Sequence, residues 1–139
     1  MLHTTNYLVA LLWIAGVVQA SDVLANVAIP AKIGSRENLA RVSPIIRQIF
    51  WSHWFFIALV LLFFSALCFL FAPFLAGGTP PGRFVSGALA VFWFLRTLTQ
   101  LLWFDREFRR RHRFADLAFI ISSALLAVIF AIASLRVMR

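Results

Sequence analysis

The sequence predicts an all-α polytopic membrane protein, a bundle of four transmembrane helices. Of its 139 residues, 63% are hydrophobic and 13% are charged, against roughly half and a quarter in a soluble domain. Its mean hydropathy is +0.92. Four apolar stretches hold about 19 to 24 residues each, close to the roughly 20 that cross hydrocarbon at 1.5 Å per residue. Only helices serve at that length, because lipid offers no partner to a backbone N–H. Disorder, collagen and disulfide-stapled secreted folds are excluded by the same composition. The length suits one membrane domain, 1–139.

The first span runs from Tyr7 to Ile29. Val18-Gln19-Ala20 before Ser21 satisfies a small-residue cleavage rule, but residues 1–6 carry no Lys or Arg and the apolar run continues to Ile29. It therefore reads as a retained helix rather than a signal peptide. A connection from Pro30 to Gln48 sets Lys32, Arg36, Arg41 and Arg47 against Glu37. Within it Ser43-Pro44 supplies a serine cap and a proline at the first helical position. The second helix is thus expected over 44–72, with its apolar run from Ile49 to Ala72.

Residues 73–85 form a Gly/Pro hinge that cannot be helical throughout. The third span follows from Ser86 to Phe104. The connection from Asp105 to Asp116 carries Arg106, Arg109, Arg110, Arg111 and Arg113, and the fourth span runs from Leu117 to Leu135. Ser123, Ala127, Ala131 and Ser134 make a small-residue stripe on that span, which lets another helix approach closely.

Charge orients the chain. The connections 30–48 and 105–116 hold nine of the thirteen Lys and Arg residues, whereas Arg83, Arg136 and Arg139 lie on the opposite side and Arg96 lies within a span. This bias places both basic loops in the cytoplasm and both termini outside, in an inner membrane of bacterial or organellar type. The run Arg109-Arg110-Arg111-His112-Arg113 reads as a topology and lipid-headgroup determinant, with contact to an acidic partner as the specific alternative. Trp51, Trp54 and Trp103 read as an aromatic belt at headgroup depth. The net charge of +8 has its explanation in membrane orientation, and no soluble surface exists from which to build a nucleic-acid reader.

Metal-binding and nucleophile motifs are absent: no HExxH, CxxC, GxSxG or phosphate-binding glycine loop occurs. No catalytic residue or cofactor is indicated. Cys68 is the one cysteine and has no intrachain disulfide partner. His53, the one histidine within a span, reads as an interfacial residue among tryptophans. A ligand or quinone hydrogen-bond donor is its functional alternative.

The informative residues are polar groups inside spans. Gln19, Asp22 and Asn26 fall within about 60° of one face of the first helix, and Trp93, Arg96, Gln100 and Trp103 within about 80° on the third. A charge in the bilayer centre costs about 2.5–3.5 kcal/mol on insertion scales, so internal hydrogen-bond glue and a binding site are both live readings. The first and third helices run the same way, with Asp22 about 10 Å and Arg96 about 12 Å from their cytoplasmic ends. The pair is expected to meet at matched depth, with Asn26 and Gln100 one turn below and His53 completing the cluster.

Short loops, the lack of a catalytic motif, and aromatic helix faces (Phe alone supplies 16 residues) favour a non-catalytic accessory or structural subunit of a larger membrane complex. Such faces suit the lipid bilayer, other membrane subunits or self-association, and a lipophilic ligand such as a lipid, quinone or pigment. In layout the chain resembles the membrane-associated eicosanoid and glutathione metabolism family. Shared with that family are the length, four spans, basic cytoplasmic loops and a stretch, Phe92-Trp93-Phe94-Leu95-Arg96, similar to its arginine-bearing third helix. The resemblance implies a membrane enzyme or lipophile-binding protein, usually trimeric. The family's second helix carries an Arg…Asn…Glu pattern, whereas here Arg47 is followed by Gln48, Ser52 and His53. A small transporter or channel subunit, with Asp22 and Arg96 lining a path, is a further alternative.

Overall fold

With so little polar surface available, the backbone satisfies itself in helices. The computed structural model describes residues 2–32, 35–104 and 106–137. It is 92% helical, with no strand among the described residues. In chain order the helices are α1 (Leu2–Lys32), α2 (Ser35–Ala40), α3 (Pro44–Ala76), α4 (Pro80–Trp103), α5 (Arg106–Arg111) and α6 (Arg113–Leu135). Four segments are long and apolar enough to cross a membrane: Thr5–Ala28 of α1, and the whole of α3, α4 and α6. The protein is an all-α, multi-pass integral membrane protein.

The helices outrun the apolar stretches. α1 continues past Pro30 to Lys32, and α3 covers 33 residues. At 1.5 Å per residue α3 is about 50 Å long, well beyond a 30 Å hydrocarbon core. Its start at Pro44 follows Ser43, whose carbonyl accepts from the Arg47 N–H at 3.2 Å. Near its far end the helix bends: Phe71 leaves helical geometry (φ −125°, ψ 21°) two residues before Pro73. A proline there withholds the N–H that the Phe69 carbonyl would receive and crowds that carbonyl.

The Gly/Pro hinge shrinks to three residues, Gly77 to Thr79. Gly78 has φ +73°, a left-handed conformation that suits glycine after a helix end. Thr79 caps α4, its hydroxyl accepting from the Gly82 N–H at 3.2 Å. Pro80 and Pro81 stand at the first two helical positions, where no intrahelical N–H bond is missed. The third span therefore begins at Pro80 rather than Ser86.

Residues group into two compact units, one of 1–15 with 71–139 and one of 16–70. In the first, α4 and α6 pack antiparallel. Arg83 Nε donates to the Ser134 carbonyl at 2.9 Å, Thr97 Oγ1 to Ser123 Oγ at 2.9 Å, and Gln100 Nε2 to Asp116 Oδ1 at 2.7 Å. The buried positions of α4 are Gly82, Ser86, Leu89, Trp93, Thr97 and Gln100, a three-and-four spacing that keeps one stripe against its neighbour. On α6 they are Asp116, Ser123, Leu126, Ile129, Phe130 and Ala133. Ser123 of the expected small-residue stripe is thus buried, while Ala127, Ala131 and Ser134 sit half-buried at its edge. The last turn of α3 closes on α4 at Gly82, where a Cβ would lie 2.5 Å from the Phe74 carbonyl oxygen.

The second unit joins the later part of α1 to α3, also antiparallel. Ser65 Oγ donates to the Gly16 carbonyl at 2.8 Å, Gln19 Nε2 to Cys68 Sγ at 3.3 Å, and Trp54 Nε1 to the Asn26 carbonyl at 3.0 Å. Gly16 permits this approach, since a Cβ there would stand 3.0 Å from the Phe69 ring.

Candidate functional site

The strongest concentration of polar chemistry lies where α4 ends and α6 begins. Gln100 is 2% exposed and Asp116 8%, so each needs partners to offset its desolvation. Gln100 supplies both sides of its amide: Oε1 accepts from Arg96 Nη1 at 3.0 Å and Nε2 donates to Asp116 Oδ1 at 2.7 Å. The other carboxylate oxygen accepts from Arg109 Nε at 3.0 Å. One carboxylate therefore answers two guanidinium groups, one directly and one through an amide. Arg96 also lies over the Phe104 ring, 5.9 Å from its centroid.

Helix ends strengthen the arrangement. Asp116 stands in the first turn of α6, where a negative charge is favoured by the helix dipole. Arg109 Nη1 reaches back to the Leu101 carbonyl in the last turn of α4 at 3.3 Å, as a basic side chain does at a helix C-terminus. At the opposite end of the pair Arg83 performs the same service for α6 through Ser134. An arginine thus pins each end of the α4–α6 pair.

The other sequence-identified residues divide between the two units. In the second, Gln19 is buried against Cys68, Asp22 and Asn26 are half-buried, and His53 is exposed with Nδ1 2.9 Å from the Ile49 carbonyl of its own helix. In the first, Trp93 is buried and its indole N–H makes no hydrogen bond among the described residues. Trp103 at the end of α4 is 84% exposed, so the face of α4 that is buried runs through Thr97 and Gln100 rather than through Arg96 and Trp103.

The basic segment is not uniform. Arg110, Arg111 and Arg113 are exposed, with Arg111 paired to Glu107 at 2.9 Å and Arg113 over the Phe114 ring at 5.0 Å. Arg109 is turned inward, its side chain 29% exposed. Sequence reasoning treated Arg109 as one of the rim arginines and Asp116 as the end of a loop, and so missed the ion pair. One signal was present: Asp116, Ser123 and Phe130 recur every seven residues, the spacing of a single buried line. Among the described residues no group of three or more His, Cys, Asp or Glu side chains converges as a metal site would require.

Comparison with family models, with curated proteins and with solved structures finds no match. The resemblance to the eicosanoid and glutathione metabolism family accordingly stays at the level of layout.

Proposed function

We propose that the protein is a non-catalytic accessory or structural subunit of a larger membrane complex, with capacity to hold a lipophilic ligand. The observation that carries this reading is the use of charge in the first unit. Gln100 and Arg109 both bond Asp116, holding the end of α4 and the start of α6 together, and Arg96 steadies Gln100 from its own helix. Side chains spent in this way are internal glue. The outward faces are aromatic: Phe63, Phe56 and Phe94 are all more than half exposed. Such faces suit acyl chains, neighbouring helices or a flat apolar ligand.

The reading includes an orientation. The basic segments around α2 and α5 lie in the cytoplasm of a cell inner membrane, as positive charge in short loops directs. Extraction in mild detergent followed by native mass spectrometry tests the assignment: the expected result is a stoichiometric complex with other membrane subunits or with further copies of the chain. A lone 15.8 kDa species overturns it. Reporter fusions within 35–43 and 106–112 test the orientation, and their appearance on the outer side overturns that part.

A further inference from the structure

The second unit contains an open, shallow cleft of about 460 Å³ lined by Arg36, Arg47, Trp51 and Trp54, a groove suited to a ligand that lies partly in the surrounding lipid. Arg47, Trp51 and Trp54 share one face of α3, at i, i+4 and i+7. Arg36 comes from α2, which the short turn at 41–43 returns to the start of α3. The two indoles meet edge to face, with centroids 5.5 Å apart and planes at 87°. Trp54 is held from behind by its N–H bond to the Asn26 carbonyl at 3.0 Å. The aromatic wall is therefore fixed in place by α1.

The charged wall is free to act on a ligand. Both Arg36 and Arg47 are exposed, and neither forms an ion pair among the described residues, although Glu37 lies next in sequence to Arg36. Guanidinium groups recognise phosphate through paired, charge-assisted hydrogen bonds. Indoles favour the depth at which headgroup gives way to hydrocarbon. Here the arginines precede or adjoin the start of the apolar run at Ile49, and the indoles lie within it. One chemistry fits a cleft that changes from cationic to aromatic along the direction into the bilayer: an anion with an acyl tail.

We propose that this cleft is a binding site for one anionic glycerophospholipid, its phosphate held by Arg36 and Arg47 and its upper acyl chain laid on Trp51 and Trp54. The proposal rests on the lipophilic-ligand part of the function proposed above and gives that ligand a class. It is independent of the subunit part.

The test uses the full chain in phosphatidylcholine nanodiscs containing increasing fractions of brominated phosphatidylglycerol, with tryptophan fluorescence as the readout. Saturable quenching is expected, and Trp51→Phe with Trp54→Phe should remove most of its saturable part. Arg36→Gln with Arg47→Gln should raise the half-saturating lipid fraction at least tenfold, whereas Arg110→Gln with Arg111→Gln should leave it within twofold. Circular dichroism melts confirm that each variant is folded. Equal quenching by brominated phosphatidylcholine overturns the proposal. So does competition by millimolar inorganic phosphate or glycerol phosphate as effective as that by unbrominated phosphatidylglycerol, because the site would then take a soluble phosphate. Native mass spectrometry of the same sample separates the two readings: a complex without the lipid dependence refutes the cleft alone, and lipid dependence in a lone chain refutes the subunit alone.

Discussion

Gln100 donates its amide N–H to the Asp116 carboxylate across 16 residues of sequence, at 2.7 Å, while its carbonyl receives Arg96. The amide is thus oriented by charge on both sides. Asp116→Leu strands Arg109 and unbonds Gln100, and should destabilise the protein by about 2–3 kcal/mol, below the full cost of a deeply buried pair because Arg109 is partly solvated. Gln100→Leu should cost about 1–3 kcal/mol. A double-mutant cycle followed by thermal melts in detergent should show the two losses to be less than additive. Additive losses would mean the pair does not interact.

At Gly82 the limit is steric. Any Cβ meets the Phe74 carbonyl oxygen at 2.5 Å, a backbone atom that cannot swing aside. Gly82→Ala should cost about 1–3 kcal/mol despite alanine's better helix propensity. Gly87→Ala is the control, because a Cβ there stands 3.7 Å from Ser134 Cβ, at ordinary contact distance. Equal melting temperatures for the two variants would contradict the close approach.

The packing register of α6 distinguishes neighbours on one stripe. Ser123 is 3% exposed and bonded to Thr97, whereas Ala127 is half-buried. Ser123→Leu should therefore lower stability more than Ala127→Leu. Thr97→Val, which keeps the shape but removes the bond, should cost about 0.6 kcal/mol and at most about 1.7. The reverse order for the two leucine variants, read from detergent melts, would shift the register by one residue.

Trp93 carries a buried indole N–H without a protein acceptor among the described residues. Removing an unsatisfied donor recovers its desolvation cost of about 1–3 kcal/mol, which offsets the packing lost on shrinking the ring. Trp93→Phe should leave stability within about 1 kcal/mol, whereas Trp93→Ala should cost about 3–5 kcal/mol. A large loss in the phenylalanine variant would reveal an acceptor for the N–H.

The spans were legible because lipid leaves the chain one solution, and length with hydropathy identifies it. Side-chain register was harder to read. In a soluble helix the buried stripe is the apolar one, but here Phe94 and Leu95 face outward while Ser86, Thr97 and Gln100 face in. Polar positions therefore pointed toward the interior, and Gln19 and Gln100 are indeed buried. Arg96 is half-buried and reaches Gln100 one turn along its own helix. Asp116 went unread because the basic run before it concealed where α6 begins.

The bond from Arg96 through Gln100 to Asp116 also sets an order of events during synthesis. Arg96 leaves the ribosome about twenty residues ahead of Asp116, a delay of roughly one to four seconds at 5–20 residues per second. Through that interval α4, whose hydropathy of 1.4 is the lowest among the four spans, lacks the carboxylate to which Gln100 donates. An arginine within a span already disfavours insertion, by about 2.5–3.5 kcal/mol at the helix centre. With the lowest hydropathy and bonds to α6 through Thr97 and Gln100, α4 is expected to settle in lipid together with α6 as a hairpin. A chain terminated before residue 116 should accordingly leave α4 poorly retained in the bilayer, although every residue of that helix is present.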